Sequence, residues 1–307
     1  MGTPEIAVPS LKSLHKAGNQ ILAVVTQPDQ PKGRGQILSP PPVKVAAQEL
    51  NLSIWQPENI KDPNFLEKIK ASQADIICVV AYGKILPQEI LEFPSLGCIN
   101  LHFSLLPKYR GAACVASTLM HGEDESGVTT ILMDAGLDTG PILMQWTEEI
   151  FPQDTTETLS ARLSDLGAQL LVKTVSGLET GNIKPVKQDN EQASYAPRLK
   201  KQAGEIDWSK PAEYLFNLYR GLTPWPGVFT FLNKKRIILQ ELSLGPKENF
   251  GQEAEFRLQE KKGIQVQCGT GTLYIVKLKP EGKKILHFED FMRGLHHKAQ
   301  LKFDSKK

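Results

Sequence analysis

The chain has 307 residues, 23% of them charged and 40% hydrophobic, with a net charge of +2, as expected of a soluble globular protein of about two domains. No run approaches the roughly 18 apolar residues of a membrane span, and Met1–Glu5 lacks the basic and apolar regions of a secretory signal. Four widely spaced cysteines (Cys78, Cys98, Cys114 and Cys268) read as reduced thiols rather than disulfides or metal ligands.

The charge is unevenly spread. Residues 1–200 hold 17 Lys and Arg against 22 Asp and Glu, whereas residues 201–307 hold 19 against 12. A basic C-terminal third fits contact with a polyanion, and equally a solvated Lys-rich surface.

In chain order, Gly2-Thr-Pro-Glu5 reads as a strand-to-helix turn, with Thr3 as N-cap and Pro4 at the first helical position of a helix near 5–17. Such a turn follows a strand, yet only Met1 precedes it. The expectation is that Met1 is an internal methionine and that a first, central strand is missing. Residues 20–26 and 75–81 are short β-branched apolar runs and read as buried parallel strands. A third strand, 97–102, runs into a His-bearing loop, and a fourth, Gly127 to Met133, ends before an Asp-bearing one. Stretches near 43–50, 63–71, 113–121 and 155–179 read as amphipathic helices. The alternation predicts an α/β fold with an open, mostly parallel, doubly wound (Rossmann-like) sheet that binds ligands at the carboxyl ends of its strands.

This catalytic domain is expected over 1–184, a polar linker over 185–204 and a second domain over 205–307. The second domain has a helical stretch at 211–220 and strand-like runs at 228–232, 235–242, 264–268 and 272–278. With a short helix near 287–297, it fits an open five-stranded barrel. Trp225, between two prolines, reads as a core or hinge plug, and His296-His297 as a solvated pair.

Asn100 and His102 are two residues apart, so on a strand their side chains share a face. Asp138 follows from the next strand–loop unit. A lone strand histidine is usually structural, and Asp-Thr-Gly is a common turn. A buried strand that ends in two polar side chains, followed by Arg110-Gly111, is nevertheless costly unless it binds something. An amide, an imidazole and a carboxylate suit acyl transfer to an amine. Asn100 would donate to the oxyanion. His102 would take the amine's proton or donate to the oxyanion, and Asp138 would orient the imidazole or hold a relaying water. No Gly-rich phosphate loop or metal-spaced cluster is present, so nicotinamide, ATP and zinc are not expected.

Asn100-Leu-His102, Ser104-Leu-Leu-Pro107, Arg110-Gly111 and Gly136-Leu-Asp-Thr-Gly140 resemble the catalytic core of the formyl-tetrahydrofolate-dependent formyltransferases. The loop Thr26–Gly35, together with Ser39–Lys44, Val79–Pro87, Ile206-Asp-Trp208 and Pro224-Trp-Pro226, is similar to the methionyl-tRNA branch of that family. The resemblance implies transfer of a formyl group from 10-formyltetrahydrofolate to the amino group of methionyl initiator tRNA, in support of translation initiation. It implies catalytic roles for Asn100, His102 and Asp138, and a folate pocket of Ala81, Tyr82 and Gly83 with Ser104, Leu105, Leu106 and Pro107. It further implies tRNA contacts at Lys32, Arg34 and Lys44, and a second domain of OB-like type whose basic face meets tRNA. A monomer in the cytoplasm, or in an organellar matrix, is expected, with no metal, membrane or DNA.

Departures from the family pattern are Phe103 in place of a small residue, Cys114-Val-Ala116 in place of Pro-Ile-Gln, and Gln30, Gln36 and Ile37 where Arg or Lys are usual. They motivate a catalytically impaired tRNA- or folate-binding paralogue as an alternative. Others are a sugar-nucleotide amine formyltransferase and a formyl-tetrahydrofolate hydrolase.

Overall fold

A computed structural model describes residues 1–32, 35–295 and 301–304. They form two compact units, the first of Met1–Cys114, Glu125–Ile150 and Leu159–Pro197, the second of Val115–Asp124, Phe151–Thr158 and Arg198–Lys307. Up to residue 179 the chain runs α1 (Val8–Lys16), β1 (Val24–Val25), β2 (Gln30–Lys32), β3 (Ile37–Ser39), α2 (Pro42–Glu49), β4 (Ile54–Trp55), α3 (Pro63–Ala71), β5 (Ile77–Val79) and α4 (Gln88–Leu91). It continues as β6 (Cys98–His102), α5 (Cys114–Met120), β7 (Glu125–Leu132), β8 (Ile142–Glu149) and α6 (Thr156–Glu179).

Local chemistry explains the helices. Asp62 caps α3 by accepting from the backbone N–H groups of Asn64 and Phe65, with Pro63 at the first helical position, and the helix buries Phe65 and Ile69. Gly167 lets α6 lie against Leu101 of β6, where a Cβ would come within 2.8 Å of the leucine side chain.

The first unit has a Rossmann-like α/β sheet. β1 pairs with β4 and β5 with β6, both in parallel. The parallel pattern then stops. β7 is antiparallel to β6, and β8 is antiparallel to β7. β8 is absent from the sequence reading. The Met133–Pro141 connection is too short for a crossover, so β8 has to return beside β7.

Between β1 and β5 lie only Met1 and Gly2. Gly2 N donates to Val25 O at 3.0 Å, and Val80 N donates to Met1 O at 2.9 Å. Beside this two-residue bridge is a cavity of about 970 Å³, lined by Ser10, Leu22, Val24, Ile77 and Cys78 among others. The buried Ser10 hydroxyl has no hydrogen-bond partner among the described residues.

The linker expected over 185–204 is corrected in its first part, because the first unit extends to Pro197. Val186 pairs with Ile142, and Ser194 to Ala196 run beside Pro107, Arg110 and Ala113. Most of this segment faces solvent, but Gln188 and Ala196 within it are buried.

The second unit contains α7 (Ala212–Leu222), β9 (Val228–Leu232), β10 (Lys235–Leu244), β11 (Phe256–Gln259), β12 (Gly263–Gln267), β13 (Thr272–Pro280), β14 (Leu286–His287) and α8 (Phe288–Arg293). Its sheet is antiparallel and has six strands, not five, in the order β11-β12-β13-β10-β9 with β14 on β13. The far end of the chain joins the two edges. Phe256 N donates to Leu301 O and Phe303 N to Ala254 O on one side, and Asp304 N donates to Phe231 O on the other. The Asp304 carboxylate also accepts from the N–H groups of Asn233 and Lys234, the two residues of positive φ in the β9–β10 turn. Phe303 is buried, stacked on Trp208 at 5.5 Å and tilted against Phe256 at 4.5 Å. Trp225 is no core plug: it is 53% exposed. His296 and His297 lie outside the described residues.

Phe303→Ala removes a fully buried ring from the only segment bridging both sheet edges among the described residues. It is expected to lower the unfolding free energy of the second unit by about 3–5 kcal/mol. Denaturant unfolding followed by Trp208 fluorescence measures this, and an unchanged midpoint would remove Phe303 from the core.

Candidate active site

Asn100 and His102 occupy the carboxyl end of β6. Both neighbours of the strand fix its pleat: Val79 of β5 lies opposite Asn100, and Ile131 and Thr129 of β7 lie opposite Asn100 and His102. Asp138 comes from the β7–β8 loop. Asp134 folds that loop by accepting from Gly136 N at 3.0 Å and from the Thr139 hydroxyl at 2.6 Å. At Gly140 a Cβ would lie 1.8 Å from the Leu132 carbonyl oxygen, so the loop closes only on glycine. Asp138 itself takes φ 53°, the left-handed region that aspartate tolerates better than most residues.

The carboxylate of Asp138 is shared. Oδ1 accepts from Asn100 Nδ2 at 3.2 Å, Oδ2 accepts from the Gly111 N–H at 2.8 Å, and His102 Nδ1 stands 3.6 Å from Oδ2. The three residues singled out in the sequence therefore meet at one point. Asn100 uses one of its two amide hydrogens on Asp138, which leaves the second for a ligand.

The tautomer of His102 follows from its contacts. Nε2 lies 3.0 Å from the Tyr109 carbonyl, which can only accept, so Nε2 carries a hydrogen. A bare Nδ1 would point its lone pair at a carboxylate, which favours the doubly protonated ring. Burial alone would push the imidazolium pKa down. The Cys114 thiol hydrogen-bonded to His102, the Asp138 carboxylate and the Tyr109 carbonyl outweigh it and raise the pKa to about 9. Cys114, set aside in the sequence reading, is thus a neighbour of the imidazole. The other three thiols are pushed up by burial, Cys78 to about 11 and Cys98 and Cys268 to about 12.

Ser104 to Pro107 leave β6 in a loop clamped from β7 and β8. The Thr129 hydroxyl donates to Ser104 O at 2.6 Å and accepts from Leu106 N, while Gln145 Nε2 donates to Leu106 O at 3.0 Å. Ala81 and Gly83 both have positive φ and flank Tyr82. The Tyr82 ring is buried in the core with Val25 and Val79, and its carbonyl accepts from the Thr3 hydroxyl and from Gln27 Nε2.

Of the residues matched to tRNA contacts, Lys44 lies on α2 with its ammonium 2.8 Å from both Asp29 carboxylate oxygens, one of which also accepts from Gln56. Lys32 ends β2. Arg34 lies outside the described residues.

Sequence reasoning missed Thr129, Gln145 and Gln188. Gln188, read as linker, is buried and donates through Nε2 to the carbonyl oxygens of Asp138 and Gly140. Its oxygen accepts from Arg110, itself buried. Its distance in sequence and the polar, linker-like composition around it hid it. The 970 Å³ cavity touches none of Asn100, His102 and Asp138.

Comparison with known proteins agrees with this geometry. The profile of the formyl transferase family matches residues 1–175, and that of the formyl transferase C-terminal domain matches residues 198–296. A methionyl-tRNA formyltransferase of Thermodesulfovibrio yellowstonii is 48% identical over 295 residues, which is 95% of this chain and 94% of the relative. One of Citrifermentans bemidjiense is 46% identical over 294 residues, 96% of this chain and 92% of the relative. Among solved structures, an N-formyltransferase from Helicobacter canadensis in complex with folinic acid and dTDP-3-aminofucose shares the fold. It has a TM-score of 0.64 at 23% identity and covers 89% of this chain and 96% of its own. With nearly half its residues shared along almost its whole length, the chain belongs to the formyl transferase family, among the methionyl-tRNA formyltransferases.

Proposed function

We propose that this chain transfers the formyl group of 10-formyltetrahydrofolate to the free amino group of methionyl initiator tRNA. The observation that carries the reading is the meeting of an amide, an imidazole and a carboxylate at Asp138, in a chain 46–48% identical to methionyl-tRNA formyltransferases. The likeness to a sugar-modifying N-formyltransferase, at 23% identity, concerns the fold and does not favour that acceptor.

The chemistry follows from the contacts. The neutral amine attacks the formyl carbon, and the carbonyl oxygen becomes an oxyanion. The second N–H of Asn100 donates to it, a contribution of about 10²–10³ in rate where such donors have been removed. The His102 imidazolium adds positive charge beside it. The proton leaving the amine passes to the Asp138 carboxylate and returns to N10 of tetrahydrofolate as its bond to the formyl carbon breaks. Protons and electrons balance, and His102 keeps its charge throughout. Ser104 to Pro107 and the backbone of Ala81 to Gly83 would hold the folate. Lys32, Arg34 and the basic second unit would meet the tRNA, with salt-sensitive affinity. Lys44 would act there only by releasing Asp29. We place the enzyme in the cytoplasm as a monomer.

His102→Ala is expected to lower kcat about a hundred- to a thousandfold, the scale of a lost oxyanion stabiliser, in an assay with 10-formyltetrahydrofolate and methionyl initiator tRNA. In the wild-type chain the rate should fall as pH rises through about 9, where His102 loses its proton. A rate that holds level beyond that point would remove the imidazolium from the mechanism.

The same titration is linked to stability. The folded-state pKa of His102 is raised above its ordinary value of 6.5. Its contribution is therefore fully present below pH 6.5 and is lost as pH rises through about 9. Unfolding free energies across this window should slope downward for the wild type and lose that component in His102→Gln. Parallel curves for the two proteins would refute the linkage.

A further inference from the structure

Gln188 lies 50 residues beyond Asp138 yet is 5% exposed and uses both ends of its amide. Oε1 accepts from Arg110 Nε at 3.1 Å and Nη2 at 2.7 Å. Nε2 donates to Asp138 O at 2.8 Å and to Gly140 O at 2.7 Å. The neighbours fix the amide's orientation, because a guanidinium only donates and main-chain carbonyls only accept. No other residue of that length offers an acceptor at one corner and two donors at the other. The two carbonyls belong to the very turn that puts Asp138 in the sparsely populated left-handed region, a conformation that persists only where the surroundings hold it. Arg110 is anchored in turn by Asn190 Oδ1 at 2.8 Å. The next residue, Gly111, gives its N–H to the Asp138 carboxylate. Main chain and side chain of Asp138 are thus tied to the same Arg110-Gly111 pair, the first through Gln188.

We propose that Gln188 is a positioning residue for acyl transfer: by bridging the Arg110 guanidinium to the carbonyls of Asp138 and Gly140, it sets the Asp138 carboxylate against Asn100 and His102. The inference rests on the reading of Asp138 as the group that handles the amine's proton. The ionisable side chains facing His102 are those of Asp138 and Cys114, while Arg110 turns to Gln188 and Asn190. Displacing Asp138 removes its share of what holds the His102 proton and leaves that of Cys114, so the His102 titration shifts down in part when Asp138 moves away.

Two variants test this. Gln188→Glu keeps the acceptor for Arg110, and adds a charge to match it, but loses both donors to the turn. Its thermal midpoint should be retained while kcat falls roughly ten- to hundredfold, the scale of a misplacement near 1 Å. The KM for 10-formyltetrahydrofolate should stay within about threefold, because Gln188 touches no folate residue proposed above. Gln188→Met removes the donors without adding charge. In it the NMR titration of the His102 ring should move down from that of the wild type, by the part that Asp138 contributes. A folded Gln188→Glu with kcat within twofold of wild type would overturn the proposal, and so would an unmoved His102 titration in a folded Gln188→Met. The titration needs no turnover, so a wild-type chain that transfers no formyl group would sink the function and leave the role of Gln188 still measurable.

Discussion

Three pieces of chain with no other reason to be adjacent are held together by one carboxylate. The end of β6 offers Asn100 and His102, the loop beyond it offers the Gly111 N–H, and the β7–β8 loop supplies Asp138. Hydrogen bonds to a charged group contribute about 1.5–3 kcal/mol each, and His102 adds a coulombic attraction across a buried gap. Removing the carboxylate would leave an amide, a backbone N–H and a charged imidazole facing one another. The protonated ring is favoured despite burial because the Cys114 side chain, the Asp138 carboxylate and the Tyr109 carbonyl all face it.

Such a node is useful only if it is held still, and the supports come from far along the chain. Thr129 and Gln145 clamp the backbone of Ser104 to Leu106 from two strands. Gln188 and Arg110 pin the turn that carries Asp138. Glycine appears where the backbone crowds, as at Gly140 against Leu132. The functional side chains sit at strand ends and in a short turn between two strands, where the pleat sets their direction. Buried polar networks of this kind stabilise only when every member is satisfied. Gln188 meets that condition with four hydrogen bonds.

What the sequence made legible was local. Asn100 and His102 declared themselves by their spacing of two on a short strand, and the amphipathic stretch near 63–71 marked α3. What it hid was non-local. The pairing of β8 with β7 depends on the length of the intervening loop, not on any apolar run, since β8 alternates buried and exposed positions. Gln188 sits in a polar segment whose composition reads as solvent-facing, because a residue bonded to a buried arginine looks like one bonded to water. Phe303 lies near the end of a Lys-rich tail, yet it fills the core that Trp208 begins. Lys44 looked available by composition, but Asp29 and Gln56 are brought to it only by folding. Cys114 gave no sign in sequence of its place beside His102, because a lone thiol has no partner pattern to read.

Between β1 and β5, Gly2 N donates to Val25 O, Val80 N donates to Met1 O and the Met1 amino group donates to Cys78 O, beside a cavity of about 970 Å³ with a buried hydroxyl on its wall. β6 does not depend on that junction alone, since it is paired along its length with β7, backed by α6 through Leu101, and bonded at its active end to the loops of Gly111 and Asp138. Opening of β1 and β4 away from β5 would therefore cost little at Asn100, His102 and Asp138. It would instead disturb Thr3 and Gln27, whose side chains hold the Tyr82 carbonyl.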